Sequence, residues 1–350
     1  MKLFRSLLAL LLGAAILFSL VGCGYSAVSS TEEELATVLT LDGGNYNVSY
    51  ELYRFFFLSE LALSEKDPAK LTAEEKTALW NTLNERTVEE IAKIYAVLKL
   101  CKEHDIDIDS REFDNAVKEG VIAAVEGDDT YLGYGDHESY LAAIKKSYMN
   151  DSVFRFFLRY NYAERKLASL LRDTGVLKSD KATVMTYMRS DECVRASWIY
   201  IPYTLLPNFT AAQLSEMEAE AKASDNENFL RMTHTVISDI YTDKELDTGF
   251  YIGRYQLDPY YQTLTDTVFS LEMNEKSGWI DAVDGRYLVR RLPKEEEYLG
   301  EQKNLADFTE YYLLNAFYGM LAETGDTLIE GAHYTDAYGT LSFDTVKMPD

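Results

Sequence analysis

The run Val194-Arg195-Ala196-Ser197-Trp198-Ile199-Tyr200-Ile201 predicts the first strand of a domain on which the organisation of the whole chain depends. Its β-branched and aromatic residues favour a strand, and Pro202 ends it because proline cannot donate a hydrogen bond to a sheet. A second such run, Gly285 to Leu292, follows the turn dipeptide Asp284-Gly285 and stops before Pro293. The two runs enclose a domain of about a hundred residues.

The segment between these two strands contains one strong helix pattern and one weaker one. Residues Ala211 to Ala223 combine good helix formers with Glu-rich spacing, and Asp258 to Ser270 can hold a second helix. Gly249 and Gly253 punctuate the middle, where glycine allows backbone conformations that other residues avoid. We therefore expect a turn between these two glycines.

This order of elements resembles the parvulin-type peptidyl-prolyl isomerase domain. Four pieces match the family in order and at nearly the family spacing, which makes the combination more specific than any single piece. They are Val194-Arg195-Ala196-Ser197, Ser238-Asp239, Gly249-Phe250-Tyr251-Ile252-Gly253 (in part) and Phe269-Ser270-Leu271.

The residues at the family's active positions differ from the family pattern. The resemblance implies two facing histidines and a cysteine or aspartate, but these positions hold Trp198, Tyr287 and Ile240. The family's pocket methionine and phenylalanine match Tyr260 and Leu264. Phe269 keeps the aromatic ring of the family, so that the candidate peptide groove comprises Trp198, Tyr260, Leu264, Phe269 and Tyr287.

These replacements bear on catalysis. Rotation about a prolyl bond crosses a barrier of roughly 18–20 kcal/mol without breaking a bond, so catalysis requires tighter binding of the twisted amide. Trp, Tyr and Ile cannot reproduce the donors and acceptors of the family's network. We expect weak or absent isomerase activity and assign no catalytic residue. Two readings of Trp198, Ile240 and Tyr287 stay open: a retained peptide groove, or the ordinary core of a small domain.

The amino terminus, Met1 to Cys23, has the pattern of a lipoprotein signal peptide. Lys2 and Arg5 precede an apolar run, and Leu20-Val21-Gly22-Cys23 is a lipobox. The apolar run is shorter than the roughly 20 residues needed to span a bilayer. We expect cleavage before Cys23, lipidation of this residue, and a protein held on the extracytoplasmic face of the membrane. The alternative is a cytosolic core helix.

The chain is strongly acidic, with a formal net charge of −24. Loss of Lys2 and Arg5 with the leader leaves 32 basic and 58 acidic residues, a balance of −26. This charge argues against nucleic acid and against docking on anionic headgroups. Lipid would occupy Cys23, and Cys101 lies on an apolar helical stripe, so we expect Cys101 and Cys193 to be buried free thiols although a disulfide is arithmetically open.

The region before the central domain is predicted to begin with a hairpin and to continue as helices. Residues 38–41 and 46–48 form the hairpin around Asp42-Gly43-Gly44, a helix starts at Ser49, and Thr72 to Glu75 is a capping box for a long helix towards His104. This strand, turn and helix resembles the start of PrsA- and SurA-type chaperones. Further helices are predicted at Ser139 to Tyr148, Val153 to Arg172 and Ser179 to Arg189.

Two further patterns in this region have simple explanations. The alternating aspartates of Asp105 to Asp109 do not form a calcium-binding loop, because Ser110 and Ala116 occupy the positions where glycine and glutamate are needed. We therefore expect a linker here, with a helix cap at Asp109 or Ser110. A broad aromatic cluster favours helix packing over a long client-binding groove. Its members are Phe154, Phe156, Phe157, Tyr160 and Tyr162.

After the central domain, a helix from Asn304 to about Thr324 has an apolar stripe that must be buried, and the tail Thr327 to Phe343 is predicted to form short extended segments. In PrsA- and SurA-like proteins this helix returns to the N-terminal domain. The resemblance thus implies an α+β fold: a mainly helical chaperone domain, completed by a C-terminal helix, with an inserted parvulin-like domain of a small antiparallel sheet flanked by helices. The expected division is 1–22 signal peptide, 23–34 tether, 35–190 first part of the chaperone domain, 191–293 parvulin-like domain and 294–350 C-terminal helix and tail.

Other catalytic and metal motifs are absent from the sequence. His104, His137, His234 and His333 lie far apart and show no metal spacing, although His234 could lie near the cleft. We expect no metal and no cofactor. The leading hypothesis is a membrane-tethered chaperone that binds unfolded translocated polypeptides, and a homodimer stays open. The alternatives are an active prolyl isomerase and, less favoured because residues 49–189 look almost wholly helical, a solute-binding lipoprotein of a transporter.

Overall fold

The structure, a computed structural model, describes residues 25–128, 132–237, 249–255 and 261–349. The chain divides into a first unit, residues 1–171 with 321–350, and a second unit, residues 172–320. In the described residues we number the regular elements along the chain. They are β1 (Thr37–Leu41), β2 (Tyr46–Ser49), α1 (Tyr50–Leu63), α2 (Ala73–Glu103), α3 (Arg111–Glu126), α4 (His137–Lys146), α5 (Asp151–Asp173), α6 (Lys181–Arg189), β3 (Cys193–Pro202), α7 (Ala211–Ala223), α8 (Asn226–Ile237), β4 (Phe250–Gly253), α9 (Gln262–Ser270), β5 (Ile280–Asp281), β6 (Gly285–Leu292), α10 (Gln302–Glu330) and β7 (His333–Tyr334).

Helices predominate, and the strands form two small antiparallel sheets, of three and four strands. The predicted α+β fold class is confirmed. Within the described residues, short 3₁₀ turns lie at Asp42–Gly44, Pro68–Lys70, Leu206–Asn208, Glu296–Gly300 and Tyr338–Thr340.

The sheet of the first unit has the strand order β2-β1-β7. The predicted hairpin is confirmed: Leu39 pairs with Val48, and the turn uses positive φ angles at Asp42, Gly43 and Gly44. The prediction for the tail is partly wrong, because α10 continues to Glu330, so that residues 327–330 are helical. Beyond the helix, β7 pairs with β1 and adds the third strand.

Two helices of the first unit, α2 and α4, begin where a short polar side chain satisfies a free backbone N–H group. The capping box before α2 is confirmed: the Glu75 backbone N–H donates to Thr72 Oγ1 at 3.3 Å, and the Thr72 N–H donates to Glu75 Oε2 at 2.8 Å. Helix α3 starts directly after Ser110, as predicted, but the Ser110 side chain makes no capping hydrogen bond. Helix α4 starts two residues earlier than predicted, because Asp136 caps it by accepting the Ser139 N–H at 2.7 Å.

Residues 25–34 differ from the expected tether between lipid and fold. Over this stretch the chain makes specific contacts with the first unit, among them a hydrogen bond from the Val28 N–H to Asp151 Oδ2 at 2.8 Å and one from Ser30 Oγ to Glu51 Oε2 at 2.6 Å. Sequence reasoning missed them because the partners lie more than twenty residues away.

The sheet of the second unit has the strand order β4-β3-β6-β5, and its two central strands, β3 and β6, are the strands predicted at the start and end of the domain. Trp198 pairs with Val289, and Tyr200 with Tyr287. Because side chains alternate along a strand, β3 turns one set to each face. Helix α9 covers the face that carries Val194, Ala196, Trp198 and Tyr200; α7 and α8 cover the opposite face around Ile199.

Two elements of the second unit depart from expectation. The predicted turn at residues 249–253 is wrong: Phe250–Gly253 is the edge strand β4, and only Gly249 has a positive φ, of 70°. Helix α8 has no counterpart in the sequence prediction. It forms because Phe229, fully buried, packs with Ile199 and Leu288 on the sheet.

Both thiols within the described residues, Cys101 and Cys193, are buried and free, as predicted. Burial raises the pKa of Cys101 to about 11 and that of Cys193 to about 12. These thiols are therefore protonated at neutral pH and poor nucleophiles.

Candidate peptide-binding face

An aromatic cluster lies on the face of the second sheet that α9 covers. Trp198 stacks on Phe250 with ring centroids 4.1 Å apart and planes 8° from parallel, and it meets Tyr287 edge to face at 6.1 Å. Trp198 and Tyr287, two of the three positions at which the resemblance implies active residues, thus lie together. Trp198 is 8% exposed and Tyr287 4% exposed. Phe250 is a member that sequence reasoning missed, because it read this stretch as a turn.

The hydroxyl groups of Tyr200 and Tyr287 both form hydrogen bonds to the carboxylate of Asp284. Tyr200 and Tyr287 stack at 4.6 Å, the Tyr200 hydroxyl donates to Asp284 Oδ2 at 3.0 Å, and the Tyr287 hydroxyl lies 3.2 Å from both Asp284 oxygens. Asp284 belongs to the turn before β6, which the sequence identified only as a turn. The arrangement fixes the ring of Tyr287 rather than leaving its hydroxyl available to a substrate carbonyl.

The polar edge of Trp198 has no such partner. Its buried indole Nε1 makes no hydrogen bond to any group in the described part of the chain. An indole can only donate, so Trp198 cannot accept a proton or relay one. Trp198 and Tyr287 therefore form part of a buried, largely apolar cluster and no acid–base pair.

Two other predicted groove residues lie at the same face. Leu264 on α9 is 2% exposed and packs in the cluster, and the half-buried Phe269 packs against it. The Arg254 guanidinium lies 4.5 Å from the centroid of the Phe269 ring, within the range of a cation–π contact. The predicted positions Ile240 and Tyr260, and the Ser238-Asp239 motif, lie outside the described residues, so the groove as a whole stays a prediction.

The opposite face of the sheet holds a buried polar pair that sequence reasoning missed. Arg290 is fully buried, and Nη2 donates to Asn274 Oδ1 at 2.8 Å, but Nε and Nη1 make no hydrogen bond among the described groups. Its cross-strand neighbour Ser197 also has an unpaired, buried hydroxyl. Burial lowers the pKa of Arg290, against the opposing effect of the Asp225 carboxylate.

Helix α10 exposes apolar side chains near its middle. Tyr311, Leu314 and Tyr318 are 47%, 42% and 36% exposed and follow the i, i+3, i+7 spacing of one helix face. We call these three residues the exposed stripe. The buried stripe expected from sequence is present on the same helix at Phe308, Leu313, Phe317 and Leu321. Near Tyr312, a shallow hollow is lined by Ala182, Thr183, Thr186, Tyr187, Ser190 and Tyr312.

The described residues contain no group of three or more His, Cys, Asp or Glu side chains that could hold a metal ion. Among the described helices, none combines the length and apolar character needed to span a bilayer.

Comparison with known proteins gives matches among solved structures. PrsA from Bacillus subtilis is 14% identical over 85% of this chain and 93% of its own, with a TM-score of 0.26. Foldase protein PrsA from Streptococcus pneumoniae is 12% identical over 90% and 98%, with a TM-score of 0.29. A SurA-like chaperone from Campylobacter jejuni is 14% identical over 86% and 99%, with a TM-score of 0.24.

The chain is thus similar to PrsA foldases and to a SurA-like chaperone over most of its length. No family model matches it, and neither does any curated protein sequence.

Proposed function

We propose that the protein is a lipid-tethered extracytoplasmic chaperone that binds unfolded, newly translocated polypeptides. Its isomerase-like domain retains little or no rotamase activity. The lipobox ending at Cys23 supports the tether and the location. The order of a hairpin, helices, a small-sheet domain and a C-terminal helix supports the chaperone class.

The observation that carries client binding is the exposed stripe. Large apolar side chains that stay exposed on one face of a helix commonly mark an interaction site. An unfolded polypeptide exposes apolar segments that can cover such a face, and binding them lowers the free unfolded population that aggregates. The strongly acidic surface keeps the unoccupied protein soluble.

The aromatic cluster supports the proposed loss of rotamase activity. Trp198 and Tyr287 meet at 6.1 Å, where the family has histidines, and the Tyr287 hydroxyl is held by Asp284. The side chains there offer dispersion contacts but no network that favours a twisted amide over a planar one. The buried cluster thus supports a domain without turnover, and client binding is assigned to the exposed stripe.

A soluble form that begins after Cys23 tests the chaperone function. It should suppress aggregation of a denatured client at stoichiometric ratios, and changing Tyr311, Leu314 and Tyr318 together to Ser should weaken suppression several-fold. The matched control changes Tyr203 and Leu205 to Ser, since these side chains are 38% and 44% exposed elsewhere in the second unit. Failure of the unchanged protein on several clients would reject the chaperone function. Equal suppression by a folded stripe variant would reject the stripe.

The same preparation tests the isomerase alternative in a protease-coupled proline-peptide assay. We expect no acceleration above the uncatalysed rate. Turnover that disappears in Tyr287→Phe, which removes only the hydroxyl bound to Asp284, would show that the site is active after all.

A further inference from the structure

The segment between the lipidation motif and the first strand is docked on the first unit. We call residues 25–34 the docked segment. The Tyr25 ring stacks on His137 with centroids 5.1 Å apart and planes 16° from parallel, and its hydroxyl donates to Glu126 Oε1 at 3.0 Å. Glu126 ends α3 and His137 begins α4. The first described residue after the motif is therefore held where these two helices meet.

A buried carboxylate fixes the next part of the docked segment. Asp151, 2% exposed at the start of α5, accepts the Val28 N–H at 2.8 Å, the Tyr140 hydroxyl at 2.7 Å and Arg155 Nε at 2.8 Å. Arg155 also donates to the Tyr25 carbonyl oxygen at 2.9 Å. Release of the segment would leave Asp151 one donor short in a buried position, which is unfavourable.

A second buried carboxylate fixes the end of the docked segment. Glu51, 5% exposed, accepts Ser30 Oγ at 2.6 Å. Glu34 binds Arg54 at 2.8 Å. Burial acts to raise the pKa of Glu34, but the Thr31 backbone N–H and Arg54 outweigh it and hold this pKa below its ordinary value. The docked segment therefore belongs to the folded unit and is not a free spacer.

Apolar side chains are exposed at the same corner. Val28 is 46% exposed and Leu132 is 95% exposed. The loop that follows Leu132 is pinned to the end of α3, because the Tyr134 N–H donates to the Ala124 carbonyl oxygen at 3.0 Å. Leu132 is thus held near Glu126, the residue that binds Tyr25.

We propose that the anchored protein meets the lipid surface with this corner, where α3, α4 and the start of α5 come together. The inference rests on the proposed lipidation of Cys23. Two residues of chain reach at most about 7 Å, so acyl chains on Cys23 would enter the bilayer close to Tyr25. The partner is the lipid surface, held by acyl insertion and not by charge, because the protein is strongly acidic. The first unit would then have a fixed orientation on the membrane.

The test measures depth with the full-length lipidated protein in phosphatidylcholine vesicles that contain a spin-labelled lipid. A fluorophore is attached at Glu138→Cys, beside His137, or at the control Arg165→Cys; both positions are exposed. Arg165 lies about 21 Å further along α5 than Asp151. We expect several-fold stronger quenching at position 138 than at 165. Equal quenching would overturn the proposal.

An insertion separates docking from anchoring. About ten Gly and Ser residues placed between Cys23 and Tyr25 form a flexible spacer and leave the docked contacts intact. We expect the difference between the two probes to disappear in this variant. A difference that persists would show that something other than the docked segment orients the protein, and would overturn the proposal.

Two further measurements distinguish failure of this inference from failure of the tether. Mass spectrometry reads the state of Cys23, and an unmodified Cys23 rejects the tether together with this inference. Hydrogen exchange on a soluble form that begins at Gly24 reads docking alone. The Val28 amide should exchange several-fold more slowly than in a free peptide of the same sequence. Equal exchange would overturn docking even if Cys23 carries lipid.

Discussion

At the scale of single residues, the second unit contains two buried arginines with opposite surroundings. Arg195 is 4% exposed, pairs with Glu295 at 2.6 Å and donates to the Pro293 carbonyl oxygen at 2.9 Å. Arg290 is fully buried and keeps two nitrogen atoms without a partner among the described groups. Burying a charge without a partner carries an unfavourable desolvation free energy, whereas an ion pair and hydrogen bonds offset part of it.

Replacing each arginine by Met tests this contrast. Arg290→Met should leave the free energy of unfolding unchanged or raise it by about 1–2 kcal/mol, because it removes an unpaired charge and keeps the apolar volume. Its partner Asn274 is exposed and can bind water instead. Arg195→Met should lower the free energy of unfolding by about 1–2 kcal/mol, because it breaks made hydrogen bonds. Urea unfolding measures both. A larger loss of unfolding free energy in Arg290→Met than in Arg195→Met would contradict the contrast between the two arginines.

At the scale of elements, the edge strand β4 depends on a close approach at Gly253. A Cβ atom at this position would lie 2.3 Å from the Tyr187 hydroxyl and 2.4 Å from Asn315 Oδ1. Asn315 Oδ1 also accepts the Tyr255 N–H at 2.7 Å. The strand thus fits against α6 and α10 only because residue 253 has no side chain.

Gly253→Ala should therefore lower the free energy of unfolding by about 1–3 kcal/mol, since Tyr187 and Asn315 must both move. Gly300→Ala is the matched control, because nothing lies within 4 Å of a Cβ there and its φ is not positive. We expect no loss of stability in the control. Thermal or urea unfolding measures the stability of the two variants. Equal stability would show that β4 and its neighbours shift to accept a side chain at residue 253 without loss.

Elements defined by local signals could be predicted from sequence, and those defined by distant packing could not. The capping box at Thr72 and the turn at Asp284 act within a few residues, so their chemistry is visible in the sequence. Helix α8 ends in residues of low helix propensity and depends on burial of Phe229 against the sheet. Because this burial depends on β3 and β6, local sequence signals do not predict the helix.

The aromatic cluster on the second sheet shows the same division between features set by local sequence and features set by distant packing. Strand alternation places Trp198 and Tyr287 on one face, and the cross-strand register makes them diagonal neighbours, as the family resemblance implied. The contacts of Phe250 with Trp198 and of the tyrosine hydroxyls with Asp284 depend on pairing between distant strands. The exposed stripe could not be predicted, because apolar residues occur around most of α10. The sequence therefore does not show which face of the helix is exposed to solvent.

At the scale of the whole molecule, many titratable hydroxyl and thiol groups are buried in their neutral form. Burial raises the pKa of Tyr95 and of Tyr251 to about 12, and the pKa values of the two free thiols are raised as well. Burial raises the pKa still further for a second group of tyrosines. They are Tyr53, Tyr140 and Tyr187.

These shifts predict loss of stability at alkaline pH. A group whose folded pKa lies above its unfolded pKa holds its proton more tightly in the folded state, so its contribution is complete below the unfolded pKa and is lost as pH rises towards the folded one. The thiols have an ordinary pKa of about 9 and the tyrosines of about 10. We therefore expect the free energy of unfolding to fall progressively above pH ~9, by about 1.4 kcal/mol per pH unit for each proton bound only by the folded state.

Urea unfolding between about pH 8 and 11 measures the fall, and the thiols can be separated from the tyrosines. Changing Cys101 and Cys193 together to Ala removes the two groups that titrate first, so the double variant should begin to lose stability about one pH unit later than the unchanged protein. Tyrosine absorbance near 295 nm gives an independent readout, because buried hydroxyls should ionise only as the protein unfolds. A free energy of unfolding that stays constant up to pH ~11 would mean that these groups reach solvent in the folded state, against the burial of Tyr53 and Tyr140.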